Sequence, residues 1–590
     1  MTTAHAVMVL LLVCMLIGAV GASSASGLWD VMSDTWVAVD ALGRKLPGYE
    51  ECGSPRKDRF VGIFYFIWHG QHGTGGPYDI TKILAENPSD PKWGPPGAFH
   101  HWGEPELGYY LSDDEYVIRR HARMLSDAGV DMIAFDVTNG FTYDNVYMKL
   151  LKVYQEMREK GERTPQVTFL TNSSHDVVVK RLYDNLYSKG LYSDLWFRWQ
   201  GKPLIMSKPD GLPEEIRNFF TFRQSWAWSD TDWFGDGKDK WPWLDHTLQK
   251  PGWHTPGVPE EVPVAVAQHP TTNIGRSYRN GKQPEPKDFR TAEGVYFAEQ
   301  WEHALKVDPQ IVFITGWNEW VAQRFLSNGR SRMLGRVLPE GETYFVDEYN
   351  QEYSRDIEPM KGGHTDNYYY QMISYIRRYK GVRSLEPASA PKTIIIDGKF
   401  GDWIDVRPEF RDHIGDTEHR NSIGWGNAGT YVNKTGRNDF VRLKVARDNR
   451  NVYFYAETRD KITPYTDKNW MLLFIDADRD PSTGWNGYDY LVNASVLDAK
   501  TTTVKKNLGG WKWSEGIKVP YRVAGNKMEI SIPRSVLGLP AKGDFAFDFH
   551  WADNIQKTDD IIEFAVSGDS APDRRFNYRY ETKRASSTRR

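Results

Sequence analysis

The chain has 590 residues, 40% hydrophobic and 26% charged, with a formal net charge of −4. That length exceeds what one hydrophobic core organises, so two or three domains are expected. The even charge balance excludes a basic surplus for nucleic acid and an acidic solvating arm. What departs from the ordinary is the 14% aromatic content, with 23 Trp and 31 Tyr. Flat apolar faces with a polar edge suit cores, and they also suit sugar rings.

The first feature in chain order is the apolar run Val7–Val20, VMVLLLVCMLIGAV. It is too short to span a bilayer and has the length of a signal-peptide core, with small residues following at 21–25. A signal peptide over residues 1–25 is therefore expected, with the protein secreted, or periplasmic in a bacterial host. Its removal takes Cys14 and leaves only Cys52, so no intramolecular disulfide is expected. No later run approaches a membrane span.

Residues 59–380 alternate short apolar runs with amphipathic segments. Strand candidates are 61–68, 130–137, 166–171, 203–207, 223–228, 262–268, 311–317 and 343–349. Continuous rather than alternating apolar runs fit strands covered on both faces. The order predicts an α/β fold, a (β/α)8 TIM-type barrel over residues 26–380. One helix is marked by a capping box, Ser112 answered by Glu115, and ends at Gly129; another runs from Asp366 to Lys380. Residues 381–392, GVRSLEPASAPK, read as a linker. Beyond them short alternating strands predict an all-β antiparallel sandwich over 393–582, with a short tail at 583–590.

In a parallel barrel the C-terminal strand ends carry the site. Those ends hold His69 and His72, Asp136 and Asn139, Asn172, Lys208, Trp226 and Trp228, Gln268 and His269, Trp317, Asn318 and Glu319, then Asp347 and Glu348. Carboxylates beside Trp, Asn and His suit glycoside cleavage, in which one group protonates the leaving oxygen and another activates water or stabilises the developing cation. A carboxyl between two indoles, as in WNEW at 317–320, retains its proton by desolvation. Glu319 paired structurally with Arg324 is the competing reading. His69 and His72 lack a clear third ligand for zinc, so sugar contact is expected of them, and no cofactor is expected for catalysis. A lyase acting on acidic polysaccharide would instead use Arg198, Lys208, Arg223 and Arg276.

The stretch FHHWGEPELGYYLSDDEYVIRRHARMLSDAGVDMIAFD (99–136) resembles the segment joining the first two strands of glycoside hydrolase family 99 and its family 71-like relatives, and WNEW resembles that clan's seventh-strand motif. The resemblance covers about residues 59–380 and implies a barrel acting on a glycan. In that family a second glutamate follows the first by three residues and both take part in catalysis. Glu319 matches the first; Ala322 stands at the second. A partner is therefore sought among Asp136, Glu348, Asp356 and Glu358, with His69, His72, Trp102, Asn139, Trp228, Gln268, Trp317, Asn318 and Asp356 as substrate-binding candidates. The missing glutamate also keeps open a glycan-binding protein without catalysis. IIIDGKFGDW (394–403) with the strand pair after it resembles carbohydrate-binding module family 9. Asp476, Asp478 and Asp480 alternate in a spacing that could present oxygens to calcium. Trp470, Trp485, Trp511, Trp513 and Trp551 either stack on sugar or fill the core.

Overall fold

The computed structural model describes residues 27–583. The expected signal peptide, including Val7–Val20 and Cys14, lies outside the described residues, as does most of the tail. Cys52 is a free thiol. Among the described residues no helix is long and apolar enough to cross a membrane.

Five strands run parallel in the order Gln166–Thr171, Met132–Val137, Phe60–Tyr65, Ile311–Thr315, Pro259–Ala265. Met132–Val137 and Ile311–Thr315 are buried along their whole length, as continuous apolar runs require. The sheet curls on through Lys202–Ile205, where Met206 N donates to Phe169 O at 3.0 Å, and through Thr221–Phe222, parallel to it. Isolated parallel bridges, Gln224 to Lys240, Ala227 to Leu244 and Lys238 to Trp253, carry the wall further, and Gly252–Trp253 pairs antiparallel with Pro259–Ala265. Pro242, Pro251, Pro256 and Pro259 interrupt this stretch, and each removes a ladder donor. The expected eighth strand at 343–349 is not part of the wall: Thr343–Tyr344 pairs antiparallel with Phe325–Leu326 in a separate ribbon. Among the described residues the parallel ladder thus forms a curled part of a barrel.

The helix Glu115–Ala128 ends at Gly129 in the left-handed region, φ 85°. Its cap is Asp114, whose carboxylate accepts from Tyr116 N at 3.1 Å. Ser112 instead accepts from His69 N at 2.8 Å, so the expected capping box does not form. A carboxylate next to the first turn is the better partner for the helix dipole. The helix Asn367–Lys380 is buried on nearly every side, because it lies between the parallel sheet and the C-terminal region. Tyr369 Oη donates to Met124 O on one flank, and Arg575 N donates to Tyr370 Oη on the other.

The C-terminal region is one antiparallel sheet of 11 strands rather than two stacked sheets. Ile517–Ala524 and Lys527–Pro533 join what would have been separate layers, and the sheet curls on itself. Its first strand, Glu409–Arg411, meets its last, Tyr578–Glu581, through Tyr578 Oη donating to Arg411 O at 2.8 Å. Trp470 and Trp551 are at most 3% exposed and fill this core; Trp485, 5% exposed, belongs to a separate apolar cluster with Leu472 and Phe474, against which Trp511 and Trp513 are half-buried.

The two regions share a polar, buried seam. Arg420 pairs with Asp114 (2.7 Å), Arg123 with Glu162 and Glu418 (2.8 and 2.7 Å), and Arg574 with Glu106 (2.7 Å). Residues 420–433 form a hairpin whose Trp425 packs edge-on to His101 and donates to Gly75 O. The expected linker is pinned: Arg383 pairs with Asp30 and Asp34. Trp29 donates to Asp412 O and Val37 bridges Asn577, so the N-terminal stretch packs on the C-terminal region.

Candidate active site

The strand Ile311–Thr315 ends at Gly316, where an added Cβ would lie 2.9 Å from Asp356 Oδ1 and 3.2 Å from Phe64. Glycine therefore lets Asp356 approach the turn. Glu319 follows, its backbone carbonyl accepting from Trp102 Nε1 at 3.0 Å. Trp102 stacks on Trp320 with centroids 4.2 Å apart, so an aromatic pair clamps the carboxylate's backbone.

Arg355 organises the charges. Its Nη2 donates to Glu319 Oε2 at 2.6 Å, its Nη1 lies 3.2 Å from Glu348 Oε1, and its backbone N donates to Glu348 Oε2 at 3.0 Å. The guanidinium sits 5.4 Å from the Trp243 ring centre. Glu319 is 6% exposed, Glu348 and Asp356 are fully buried. Burial pushes Glu319 and Glu348 well above the usual carboxylate range, against the pull of Arg355 and with the help of neighbouring carboxylates. Burial likewise lifts Asp356 to about 7. Arg355, with Arg276 behind Asp356, offsets only part of the burial of these three carboxylates, so the cluster keeps protons near neutral pH.

Asp136, at the end of Met132–Val137, accepts from Trp68 Nε1 at 2.9 Å and Thr138 N at 3.0 Å. Burial raises its pKa in spite of these donors. Trp68 lies beside Tyr143, which His72 Nε2 meets at 2.6 Å and to which Asn139 donates. His72 and Phe141 are exposed. On another flank Trp228 takes φ 61°, a costly conformation for a non-glycine residue, and donates to Gln268 Oε1 at 2.9 Å. Its ring is stacked against His246 and close to His269. Gln268 is fully buried and donates to Asp245 O and Tyr296 Oη. His269 is lowered to about 3 by burial, with Arg355 adding, so it is neutral. The Asp347 side chain, 49% exposed, acts electrostatically on both Asp136 and Glu319. Glu319, Asp136 and Asp347 thus lie within electrostatic reach of one another, with Trp68 and His72 on the Asp136 side and Trp228 next to His269, whose Nδ1 lies 3.7 Å from Asp347.

Other sequence candidates are buried around Glu319 and its strand. His69 is 1% exposed and contacts Ser112. Trp317 is buried edge-on to His121. The Asn318 amide is engaged with Phe66 N and O at 2.9 and 3.1 Å. Trp102, Trp317, Asn318 and His69 thus support Glu319 and its strand. Glu358 accepts from Tyr110 and Trp320 and meets His121 at 2.9 Å, which commits both its oxygens. Arg324 binds Gly94 O and Thr343; the partner of Glu319 is Arg355. The arginines of the lyase reading do not converge: Arg223 pairs with Glu260, and Arg276 is buried against Ser354 and Asp356 O. Arg355 escaped the sequence reading because EYSRDIEPM reads as an acidic loop. Its signal was a cation placed beside carboxylates in a stretch returning to the barrel mouth.

In the C-terminal region Asp476 and Asp478 converge with Asp489, ligand oxygens within 4.8 Å of one another. Asp480 is not in the group: its carboxylate turns to Ser482 N and Oγ at 2.9 and 2.7 Å. A short side chain next to Pro481 satisfies the local turn first. Burial lifts Asp476 to about 8, Asp548 adding, as expected where carboxylates crowd without a counter-charge.

No family model matches the chain, and no curated protein matches it. Among solved structures it is similar to an endo-alpha-mannosidase of glycoside hydrolase family 99 from Bacteroides thetaiotaomicron. In the complex with Bis-Tris-propane the identity is 16%, over 54% of this chain and 97% of that one, with a TM-score of 0.31. For another structure of that enzyme the values are 16%, 56%, 99% and 0.32. Likeness at this level carries no argument about activity or substrate.

Proposed function

We propose that the protein is a glycoside hydrolase acting on a polysaccharide or complex glycan. The observation that carries this reading is a group of mutually interacting carboxyls: protonatable Glu319 and Asp136, each following a parallel strand or ending one, with Asp347 acting on both and Trp68, His72 and Trp228 nearby. Two carboxylates, one protonated and one ionised, are the usual pair for glycosidic cleavage. Glu319 is the proton donor to the leaving oxygen. Asp136, held by Trp68 and Thr138, is the base or the stabiliser of the developing cation. Glu348 is a positioning residue: it is fully buried and fixes Arg355, and Arg355 fixes Glu319. The proposal includes export by the sequence-expected signal peptide, no cofactor in the cleavage, and a structural calcium on Asp476, Asp478 and Asp489. It takes residues 26–380 as the catalytic unit and 393–582 as the region bracing it.

The test is digestion of a glycan panel by wild type, Glu319→Gln and Asp136→Asn, read by mass spectrometry of released sugars. Release by wild type with a loss of at least a hundredfold in Glu319→Gln is expected. Undiminished release by a folded Glu319→Gln would refute the assignment. One observation favours a second reading, glycan binding without cleavage: Glu319 is ion-paired to Arg355 at 2.6 Å. Silence of wild type with retained glycan binding would select it.

A further inference from the structure

Asp412, Asp416 and Asp569 meet inside the curled C-terminal sheet, each at most 4% exposed. One oxygen from each lies within 4.8 Å of the others. Both Asp412 oxygens and Oδ1 of Asp416 accept no hydrogen bond, although burying a carboxylate without partners is among the costliest arrangements a protein can hold. The nearby cations are engaged elsewhere except Arg120, which donates to the Asp416 carbonyl at 3.4 Å and keeps its Nε without a partner. Arg123 is held by Glu162 and Glu418, Arg459 by Asp439, and His413 by Asp127; Arg120 faces Asp573 at 3.6 Å. The adjoining trio Asp127, His413 and Asp573 contains its own cation and needs no other. The aspartate trio contains none.

We propose that Asp412, Asp416 and Asp569 bind one hard divalent cation, of which calcium is the fitting class, and that it fastens the sheet shut. The donor set is all oxygen, as calcium prefers. The location gives the ion a purpose. Asp412 directly follows the strand Glu409–Arg411, at one end of the hydrogen-bonded path, and Asp569 opens the strand Asp569–Ala571, at the other end. No ladder joins these two strands; an ion shared by their carboxylates does. Asp569 accepts from Phe440 N at 2.6 Å on Oδ2 and from Ser570 N at 3.0 Å on Oδ1, which fixes its carboxylate against the neighbouring strand Phe440–Arg447 and leaves it further lone pairs for an ion.

The experiment uses purified protein unfolded in chelator and refolded with or without calcium, with bound metal counted by plasma mass spectrometry and stability read by thermal melting. Calcium should raise the melting temperature by several degrees. The double variant Asp412→Asn/Asp569→Asn should hold one calcium fewer than wild type, and Asp478→Asn/Asp489→Asn should keep the stabilising ion. Absence of bound calcium with melting indifferent to it, or unchanged content in the Asp412/Asp569 variant, overturns the proposal. If that variant does not fold, terbium replaces calcium in wild type and in Trp29→Phe. The Trp29 indole donates to Asp412 O at 2.7 Å, so sensitised emission should fall in Trp29→Phe. Equal emission from both proteins places the ion elsewhere and overturns the proposal as well.

Discussion

Replacing Arg355 by Met removes the cation that touches both Glu319 and Glu348 while leaving an apolar chain against Trp243. The three paired side chains are at most 7% exposed, so water cannot substitute for the lost charge. Removing one partner of such a buried pair costs about 3–5 kcal/mol. The loss should depend on pH, with a definite sign. The carboxyls of this cluster have folded-state pKa values above their unfolded ones; Asp356 goes from 3.8 to about 7. Between those values the unfolded chain has released a proton that the folded one keeps, so wild-type stability falls as pH rises through that window. Without Arg355 the folded values move higher and the fall continues above pH 7. Thermal melting of wild type and Arg355→Met at pH 5 and pH 8 should therefore show a larger deficit at pH 8. Equal deficits at both, or none at pH 8, would show that Arg355 does not hold these carboxylates.

Glu358→Gln should cost about 1–3 kcal/mol, since it turns one acceptor among Tyr110, Trp320 and His121 into a donor; unchanged melting would mean those groups have other partners. His413, which burial alone would lower, is raised by Asp127 to about 9. Its contribution is complete below pH 6.5 and disappears as pH rises through 9, so His413→Asn should be destabilised at pH 6 and close to wild type at pH 10. A fragment of residues 27–380 leaves Arg123, Asp114, Asp127 and Glu106 without their seam partners and should aggregate on expression; a monomeric, cooperatively melting fragment would contradict the seam's role.

The strands that the sequence shows most plainly are those with uninterrupted apolar runs, Met132–Val137 and Ile311–Thr315, because burial on both faces leaves a strong local pattern. The wall between 223 and 263 was less legible, since proline breaks the ladder while the Trp-rich stretch keeps the look of a strand. Glu319 and Asp136 could be found from strand-end placement alone. Arg355 could not, because its meaning comes from a loop folding back over 36 residues to Glu319. The apparent sandwich concealed a continuous curled sheet: strand pattern specifies which face is buried and leaves open which strands join. Asp489 replaced Asp480 in the acidic group for the same reason, since the turn after Asp478 brings a distant residue closer than a neighbouring one.

The way the C-terminal sheet ends has a colloidal consequence. One rim is Glu409–Arg411, 3 residues; the other is shared by Asp569–Ala571, 3 residues, and Tyr578–Glu581, 4 residues, both paired to Ala546–Asp553. The two are turned toward each other, with Phe410 against Tyr578. An exposed edge recruits further chains in proportion to the unpaired backbone it offers, and here both rims are short and mutually capped. A β-rich region of this size would ordinarily be the hazard in a concentrated solution. At these two rims strand addition by another chain should begin only after their closure has opened.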